Sequence, residues 1–437
     1  MKAGIFLLAI FAASSAFCAD EPPVIPVGLD AYLMWDQWPV QRIAARTYMR
    51  STYDRLGGNE GADASHFLYQ LADDYNVTLD VAGPGVLLFA RYNHWHGSPW
   101  HYKVDGTDHI IQETSTANPL KPADHSIFLP EAAFPNPLTW TWSQTKGADL
   151  SWVPIGFEKS FQMAYSRTHY GTGYYNYQQY VRGAKLSRPI LSWNEDRPFK
   201  EALELIAKSG SDLVPQADNP EGLRALMSQQ SGTWSISGNA KAGVDRRTGH
   251  PEMLRALEFT VTKAEAIALG RCTLRITWDD LPYPSVEAPV ALFFGTGTLY
   301  NRDNREFLVK SFPTVVRFDE NFVHLACYFP MPFFKSAHIE ILANGQRVSD
   351  IHWRARYQVL RETKNHVGYF HATYRDFPKP ELGRDMVLLD TREAEGGGDW
   401  SGSFVGTSFI FTHSNNLGTL EGDPRFFFDD SQTPQGQ

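Results

Sequence analysis

Three absences narrow the classes to which this 437-residue chain can belong. It has only three cysteines and no Cys-x-x-Cys pair, which excludes a disulfide-dense scaffold and a zinc knuckle. Basic residues are not in excess: 40 Lys and Arg stand against 49 Asp and Glu, so the formal charge of −9 argues against nucleic-acid binding. Phosphate-binding loops, dinucleotide fingerprints and nucleophile elbows are missing as well.

The N-terminus has the pattern of a secretory signal peptide. Lys2 precedes an apolar stretch that runs from Ile5 to Ala13, and mostly small residues follow. We expect residues 1–19 to be removed during export, so the sequence predicts a secreted or periplasmic protein. No other segment is apolar enough to span a membrane.

The cysteines leave two questions open. Cys18 near the end of the signal peptide hints at lipid attachment, but the bulky Phe17 before it favours ordinary cleavage. The mature chain then keeps Cys272 and Cys327, which either form one disulfide or remain two buried thiols.

Aromatic residues are abundant and lie among turn residues. The chain has 12 Trp, 19 Tyr and 28 Phe, many beside Gly, Asn, Asp and His. Short apolar stretches separated by turn signals, such as residues 78–81 and 86–89 around Gly83-Pro84-Gly85, predict an all-β sandwich or barrel. This composition is typical of proteins that handle neutral ligands such as sugars.

Helical spacing appears only briefly. Residues 199–207 and 220–227 have it, and Asn219 before Pro220 predicts an N-cap for the second helix.

Carboxylates are the first candidates for chemistry. Glu287 lies in a Pro-bracketed stretch shortly after Asp279, and rigidly held acids suit a glycosidase, although ion-paired or turn-closing roles fit both residues. Glu421 and Asp423 share a strand face and could divide acid and base work, but Arg425 on that face favours a plain ion pair.

Histidines provide the second group of candidates. His94 and His96 flank Trp95, and His101 could complete a zinc site. The same stretch equally fits a surface that hydrogen-bonds sugar hydroxyls, so we predict a sugar site and no metal. Asp54 and Arg55 precede a Gly-Gly turn, where one could face a ligand while the other anchors the loop.

Several segments together resemble a family long known only as a domain of unknown function, whose members include glycoside hydrolases acting on α-D-fructofuranosides and D-arabinofuranosides. The resemblance covers about residues 46–95 and 255–437. The segments that carry it are residues 53–55 (Tyr-Asp-Arg), 57–59 (Gly-Gly-Asn), 83–86 (Gly-Pro-Gly-Val), 274–279 (Leu-Arg-Ile-Thr-Trp-Asp), 284–289 (Pro-Ser-Val-Glu-Ala-Pro), 293–295 (Phe-Phe-Gly), 328–333 (Tyr-Phe-Pro-Met-Pro-Phe) and 420–426 (Leu-Glu-Gly-Asp-Pro-Arg-Phe).

The resemblance implies a double jelly-roll β-sandwich with few short helices, assembled as homotrimers or hexamers. Residues 20–350 would form the first jelly roll, with an aromatic-rich insertion at about 98–255, and residues 351–437 would begin a second, incomplete one. It also implies retaining hydrolysis with two glutamates and no cofactor.

Two departures from the family pattern stand out. Ala291-Leu292 replaces the family's Gly-Asp, and the chain ends before a Gly-Thr-Gly-Thr-Glu segment that we expect to hold one catalytic glutamate. The sequence thus predicts an exo-acting furanosidase, or else a non-catalytic carbohydrate-binding or assembly protein or an incomplete fragment. The predicted catalytic residues are Glu287 and Glu421, and the predicted substrate contacts are Asp279, Asp423, His94, Trp95, His96, Asp54 and Arg55.

Overall fold

The computed structural model describes residues 22–56, 66–72, 75–93, 99–115, 125–166, 173–398, 400–412, 424–429 and 431–435. Across these ranges antiparallel strands dominate and helices are few and short, which confirms the predicted all-β class. Within the same ranges no helix is long and apolar enough to cross a membrane.

The first sandwich lies between residues 45 and 180. Its strands are β1 (Ala45–Ser51), β2 (Tyr69–Ala72), β3 (Tyr75–Ala82), β4 (Gly85–Asn93), β5 (Trp100–Val104), β6 (Thr107–Glu113), β7 (Phe128–Leu129), β8 (Thr139–Trp140), β9 (Ala148–Ser151), β10 (Ile155–Phe157), β11 (Ser160–Ser166) and β12 (Gly173–Tyr180). One sheet has the order β1-β12-β4-β9-β8, with β10 also paired to β4, and the other has the order β2-β3-β11-β5-β6-β7.

The second sandwich lies between residues 227 and 359. Its strands are β13 (Met227–Ser237), β14 (Lys241–Arg247), β15 (Glu252–Thr262), β16 (Thr273–Trp278), β17 (Val286–Pro289), β18 (Phe307–Lys310), β19 (Thr314–Phe318), β20 (Phe322–Cys327), β21 (Met331–Phe333), β22 (Ser336–Leu342) and β23 (Arg347–Val359). The larger sheet has the order β13-β23-β15-β20-β19-β18, with β21 also paired to β15, and the smaller sheet is β14-β22-β16-β17.

Both sandwiches follow the jelly-roll order. When the eight principal strands of a jelly roll are numbered along the chain, its sheets read 1-8-3-6 and 2-7-4-5. The sheets β13-β23-β15-β20 and β14-β22-β16-β17 have this order, as do β1-β12-β4-β9 and β3-β11-β5-β6. The predicted double jelly roll is therefore confirmed.

The domain limits differ from those expected. The predicted boundary at residue 350 falls inside β23, and residues 98–255 supply strands β5 to β14 rather than an insertion. The second jelly roll of the structure lies at residues 227–359 with all eight principal strands, whereas it was expected to begin at residue 351. A jelly roll brings its last strand back beside its first, so the order of motifs along the chain does not mark where a domain closes.

Six short α-helices occur in the described ranges, besides single turns of 3-10 helix such as Trp35–Gln37. They are α1 (Asp30–Leu33), α2 (Trp142–Thr145), α3 (Lys200–Ala207), α4 (Pro220–Arg224), α5 (Ala266–Arg271) and α6 (Val290–Phe293). The positions of α3 and α4 agree with the prediction, and Asn219 accepts a hydrogen bond from Gly222 N at 2.8 Å as the N-cap. On α3, Ala202 packs into the first core whereas Leu205 packs against the second sandwich, so this helix joins the two.

The two cores are apolar and separate. Trp100 and Phe157 are buried in the first, and Phe259 and Trp278 in the second. Gly85 is required in the first core because a Cβ there would lie 2.4 Å from Cζ of Phe157.

Cys272 and Cys327 are buried free thiols, which resolves the alternative that the sequence left open. Burial raises the pKa of Cys272 to about 11 and that of Cys327 to about 12.

After β23 the chain runs as an extended arm along the second sandwich. Val367 forms a β-bridge with Val40, and Ala372 forms a parallel bridge with Val286 of β17. Ala372 N donates to Ser285 O at 2.9 Å, and Glu287 N donates to Ala372 O at 3.2 Å. The arm thereby extends the smaller sheet beyond β17.

Candidate active site

Glu287 projects from the outer face of the smaller sheet. Its strand neighbours Val286 and Ala288 are buried, so alternation turns Glu287 outward, and 48% of its side chain is exposed. Arg275 is its register partner on β16, and Arg275 Nη2 lies 2.5 Å from Glu287 Oε1. The ion-paired role that the sequence left open for Glu287 is thus present.

A second carboxylate flanks Arg275 on the opposite side. Glu340 of β22 is the other register partner of Arg275, and its carboxylate is almost fully buried. Burial pushes its pKa up, but Lys241 Nζ at 2.8 Å and His338 Nε2 at 3.1 Å more than offset this, so the pKa lies below its ordinary value. The outer face therefore carries a row of alternating charges with Glu287 at its edge.

The arm adds an imidazole to this face. Because Ala372 pairs with the inward-facing Val286, its neighbour His371 lies on the same side of the extended sheet as Glu287. His371 Nδ1 lies 2.5 Å from Glu395 Oε2, and the ring centroids of His371 and Trp400 are 4.6 Å apart.

Glu395 is held in an unusual conformation. Its backbone is left-handed at φ 47° and ψ 51°, a region that residues other than glycine rarely adopt. Only 10% of its side chain is exposed, and its buried Oε1 has no hydrogen-bond partner among the described residues.

This group of side chains suits a polar, uncharged ligand. Carboxylates and an imidazole bind hydroxyl groups, and an indole gives a sugar ring an apolar surface. Ser285 lies beside the arm, and its buried Oγ has no hydrogen-bond partner within the described part of the chain.

Asp279 closes a turn. It follows β16 with a left-handed φ of 50°, and its carboxylate accepts hydrogen bonds from the backbone N–H groups of Phe334, Lys335 and Ser336. Tyr369 OH on the arm donates to its Oδ2 at 2.6 Å. Burial raises the pKa of Asp279, but these donors outweigh burial and hold that pKa below its ordinary value.

Asp54 and Arg55 lie at the end of β1 in the first sandwich, whereas Glu287 belongs to the second. Asp54 Oδ1 accepts from Leu56 N at 2.8 Å, and Arg55 stacks on the Tyr53 ring with Cζ 3.8 Å from its centroid. Arg55 also donates to two backbone carbonyls. Both side chains therefore anchor the loop.

Five of the predicted site residues lie outside the described residues: Glu421, Asp423, His94, Trp95 and His96. His101, the expected third zinc ligand, is described, and its Nδ1 lies 2.7 Å from Asp108 Oδ2. In the described ranges no three His, Cys, Asp or Glu side chains are grouped closely enough to hold a metal ion.

Four groups of this region were not predicted from the sequence: Arg275, which contacts Glu287, and the cluster of His371, Glu395 and Trp400 in the segment after β23. Arg275 could have been predicted from the sequence, because it lies in residues 274–279, a segment that carries the family resemblance. Glu395 directly precedes the glycine cluster at 396–398, but nothing in that pattern indicates that it meets His371.

A known protein family matches the part of the chain that contains this sheet. Residues 248–353 match a family model described as GH172 domain-like. The GH172 domain-like segment begins just before β15, ends within β23, and contains Asp279, Glu287 and Glu340. It supports the resemblance to a family of glycoside hydrolases that the sequence motifs indicated.

Other comparisons add little to the GH172 domain-like match. None of the curated proteins compared with the chain matches it. Among solved structures, vicilin from Solanum lycopersicum (tomato) is 8% identical, with 74% of this chain and 84% of that chain covered and a TM-score of 0.13. An 11S allergen from Cocos nucifera is 10% identical, with coverage of 73% and 88% and a TM-score of 0.11. At these scores neither likeness supports a conclusion.

Proposed function

We propose that this protein is a glycoside hydrolase that removes α-linked D-arabinofuranosyl or D-fructofuranosyl units from the ends of glycans with retention of configuration. The GH172 domain-like match over residues 248–353 carries the proposal, because that segment includes the strand that presents Glu287. The neighbouring imidazole and indole support it, since they suit a sugar.

In this proposal Glu287 is one of two carboxylates. A retaining enzyme needs one carboxylate that attacks the anomeric carbon and a second that protonates the leaving oxygen and then activates water. Glu421 is the second acid predicted from the sequence. The 2.5 Å contact of Arg275 engages Oε1 of the Glu287 carboxylate, so the other oxygen, Oε2, would make the attack.

A second candidate function is carbohydrate binding without turnover. One observation favours it: Glu287 is half exposed on an open sheet face and already paired with Arg275. Catalytic carboxylates more often lie in a concave, water-poor site.

Product analysis separates the two candidates. Purified protein is incubated with inulin-type and arabinofuranosyl oligosaccharides, and released monosaccharides are measured by chromatography and their anomers by proton NMR. Release of a furanose whose first-formed anomer retains the configuration supports the hydrolase. Binding of the same oligosaccharides without release supports the binding protein and contradicts the hydrolase.

We further propose export to the periplasm or the medium and assembly as a homotrimer or hexamer. Cell fractionation and N-terminal sequencing test the first, with cleavage after Ala19 as the expected result. Light scattering of the purified protein tests the second, and a monomeric mass would contradict it.

A further inference from the structure

We propose that His371, positioned by Glu395, is the ligand-facing imidazole of the Glu287 face and hydrogen-bonds a hydroxyl group of a sugar that lies against Trp400. This inference rests on the proposed function for the choice of sugar, but not on turnover.

The contact between His371 and Glu395 sets the orientation of the ring. Glu395 Oε2 lies 2.5 Å from His371 Nδ1. A carboxylate only accepts hydrogen bonds, so Nδ1–H is the donor, and in the neutral ring the lone pair is then on Nε2. Among the described residues no partner contacts Nε2. The histidine is the more exposed member of the pair, at 29% against 10% for Glu395. A buried carboxylate behind an accessible imidazole is the arrangement by which proteins orient a functional histidine.

Two features of Glu395 carry an energetic cost. Its left-handed backbone is unfavourable for a residue with a Cβ, and its buried Oε1 lacks a hydrogen bond within the described structure. Strained residues with unsatisfied buried groups cluster at functional sites. This supports a role for the pair beyond holding the arm.

The position of the pair relative to Glu287 is fixed by the backbone. Hydrogen bonds from Ala372 N to Ser285 O and from Glu287 N to Ala372 O hold the arm against β17. The parallel pairing of Val286 with Ala372 sets His371 level with Ser285, two residues before Glu287 on the same face. With strands about 4.8 Å apart and a rise of about 3.3 Å per residue, the Cα atoms of His371 and Glu287 are roughly 8 Å apart, which lets the two side chains contact opposite edges of one sugar ring.

The surrounding charges favour a neutral ligand. The cations of this face, Arg275 and Lys241, are already paired with Glu287 and Glu340, so they are not left to bind an anion. Trp400 beside His371 gives an apolar surface. A sugar ring with hydroxyl edges meets both requirements.

Binding measurements test the inference without relying on catalysis. Calorimetric titration with methyl α-D-arabinofuranoside and with an inulin-type trisaccharide is run on the full chain and on the variants His371→Gln and Glu395→Gln. We expect His371→Gln to weaken binding of at least one probe tenfold or more, and Glu395→Gln to weaken it threefold or more.

A matched control lies on the same arm. His366 Nδ1 contacts Glu362 Oε2 at 3.4 Å, so His366→Gln removes a comparable His–Glu contact away from the site. It is expected to change the dissociation constant less than twofold. Equal affinities of His371→Gln and the unmodified protein, or no binding of either probe by the unmodified protein, would overturn the inference. Binding that depends on His371 without any sugar release would contradict only the hydrolase proposal.

A spectroscopic signature covers the case in which a variant folds poorly. NMR of protein labelled at histidine, with the His371 signal assigned by its loss in His371→Gln, reports which ring nitrogen carries the proton. We expect the Nδ1–H tautomer and a shift of this signal, but not that of His366, when the probe is added. The Nε2–H tautomer without a shift would contradict the inference.

Discussion

One aspartate in each jelly roll accepts hydrogen bonds from the backbone of a turn. Asp279 accepts hydrogen bonds from three successive backbone N–H groups that end at Ser336, and Asp105 does so from Glu158, Lys159 and Ser160. Both aspartates have left-handed φ angles. The segments that bind them are similar, Phe-Glu-Lys-Ser at 157–160 and Phe-Phe-Lys-Ser at 333–336, and the serine that ends each segment begins a strand, β11 or β22. The carboxylate therefore locks the same turn in each sandwich.

Replacing Asp279 should destabilise the second jelly roll. Asp279→Asn keeps the shape but loses the charge that three N–H donors and Tyr369 OH stabilise, and we expect unfolding free energy to fall by about 2 kcal/mol. Denaturant unfolding measures this. The neighbouring Asp280, an exposed partner of Arg247, supplies the control: Asp280→Asn should change stability little, and equal losses would contradict the lock.

The same lock predicts acid sensitivity. The folded-state pKa values of Asp105 and Asp279 lie below those of the unfolded chain, because hydrogen-bond donors outweigh the opposing effect of burial. The two aspartates contribute to folding stability at pH values above the pKa of an unfolded-chain aspartate, about 3.9. This contribution is lost as the pH falls through their lower pKa values in the folded state. The melting temperature should therefore drop more steeply below pH 4 in the unmodified protein than in Asp279→Asn. Parallel pH profiles would show that Asp279 does not contribute.

Sequence reasoning identified both possible roles for Asp279 but could not choose between them. The choice depends on residues 334–336, which lie far along the chain and meet Asp279 only after folding. For Glu287, alternation within β17 is enough to predict an outward side chain, but its partner Arg275 follows from strand register, which no local pattern specifies.

At the scale of secondary-structure elements, the sequence predicts a helix or strand correctly where the residues of that element alone determine its ends. Asn219 and Pro220 begin α4 as predicted, because the cap bond and the proline act within one turn. Alternation of apolar and polar residues at 138–142 would by itself continue β8 through Trp142, but a tertiary contact ends the strand earlier. β8 ends at Trp140, and Trp142 begins α2, with its N–H bound to Asp149 Oδ1 at 2.7 Å.

The cap of α4 gives an element-scale prediction. Asn219→Ala removes the bond from Gly222 N and should lower the unfolding free energy by about 1 kcal/mol in denaturant titrations. Asp218→Ala, at the exposed preceding residue, is the control and should stay close to the unmodified protein. A loss of the same size for both variants would show that the cap is not the cause.

At the scale of the molecule, an ion pair between the buried Arg356 and the partly exposed Asp212 fastens the segment between the sandwiches to β23. The Arg356 side chain is fully buried, and its Nη2 lies 2.7 and 2.8 Å from the two carboxylate oxygens of Asp212, while Nη1 donates to Val214 O. Asp212 comes from the linking segment, so this contact fixes how the second sandwich is joined to the helices before it.

Breaking that pair should be costly. Asp212→Ala leaves a buried guanidinium whose nearest remaining carboxylate oxygen is on Glu258 at 3.6 Å, and we expect a loss of about 3 kcal/mol in unfolding free energy. Asp303→Ala, which breaks an exposed pair with Arg302, should have little effect. If the two variants unfold alike, Asp212 does not hold the segment.

The sequence predicted the jelly-roll class because turn-separated apolar strands and family-like motifs are local features. It could not predict where the sandwiches begin and end, since β12 returns to β1 and β23 to β13 across more than a hundred residues of chain. Of the candidate site, only the residue that belongs to a local motif could be predicted, because the others depend on contacts that form on folding. Glu287 belongs to a motif, whereas His371, Glu395 and Trp400 reach it through the arm.

The most direct test of the account is the rate of sugar release by Glu287→Gln. Initial rates on inulin-type and arabinofuranosyl oligosaccharides are compared with those of the unmodified protein, and thermal unfolding confirms that both are folded. We predict that the unmodified protein releases a monosaccharide and that Glu287→Gln releases it at least a thousand-fold more slowly, about 4 kcal/mol in activation free energy, with an unchanged melting temperature. A folded Glu287→Gln variant that hydrolyses at the unmodified rate would contradict the placement of the active site on this sheet.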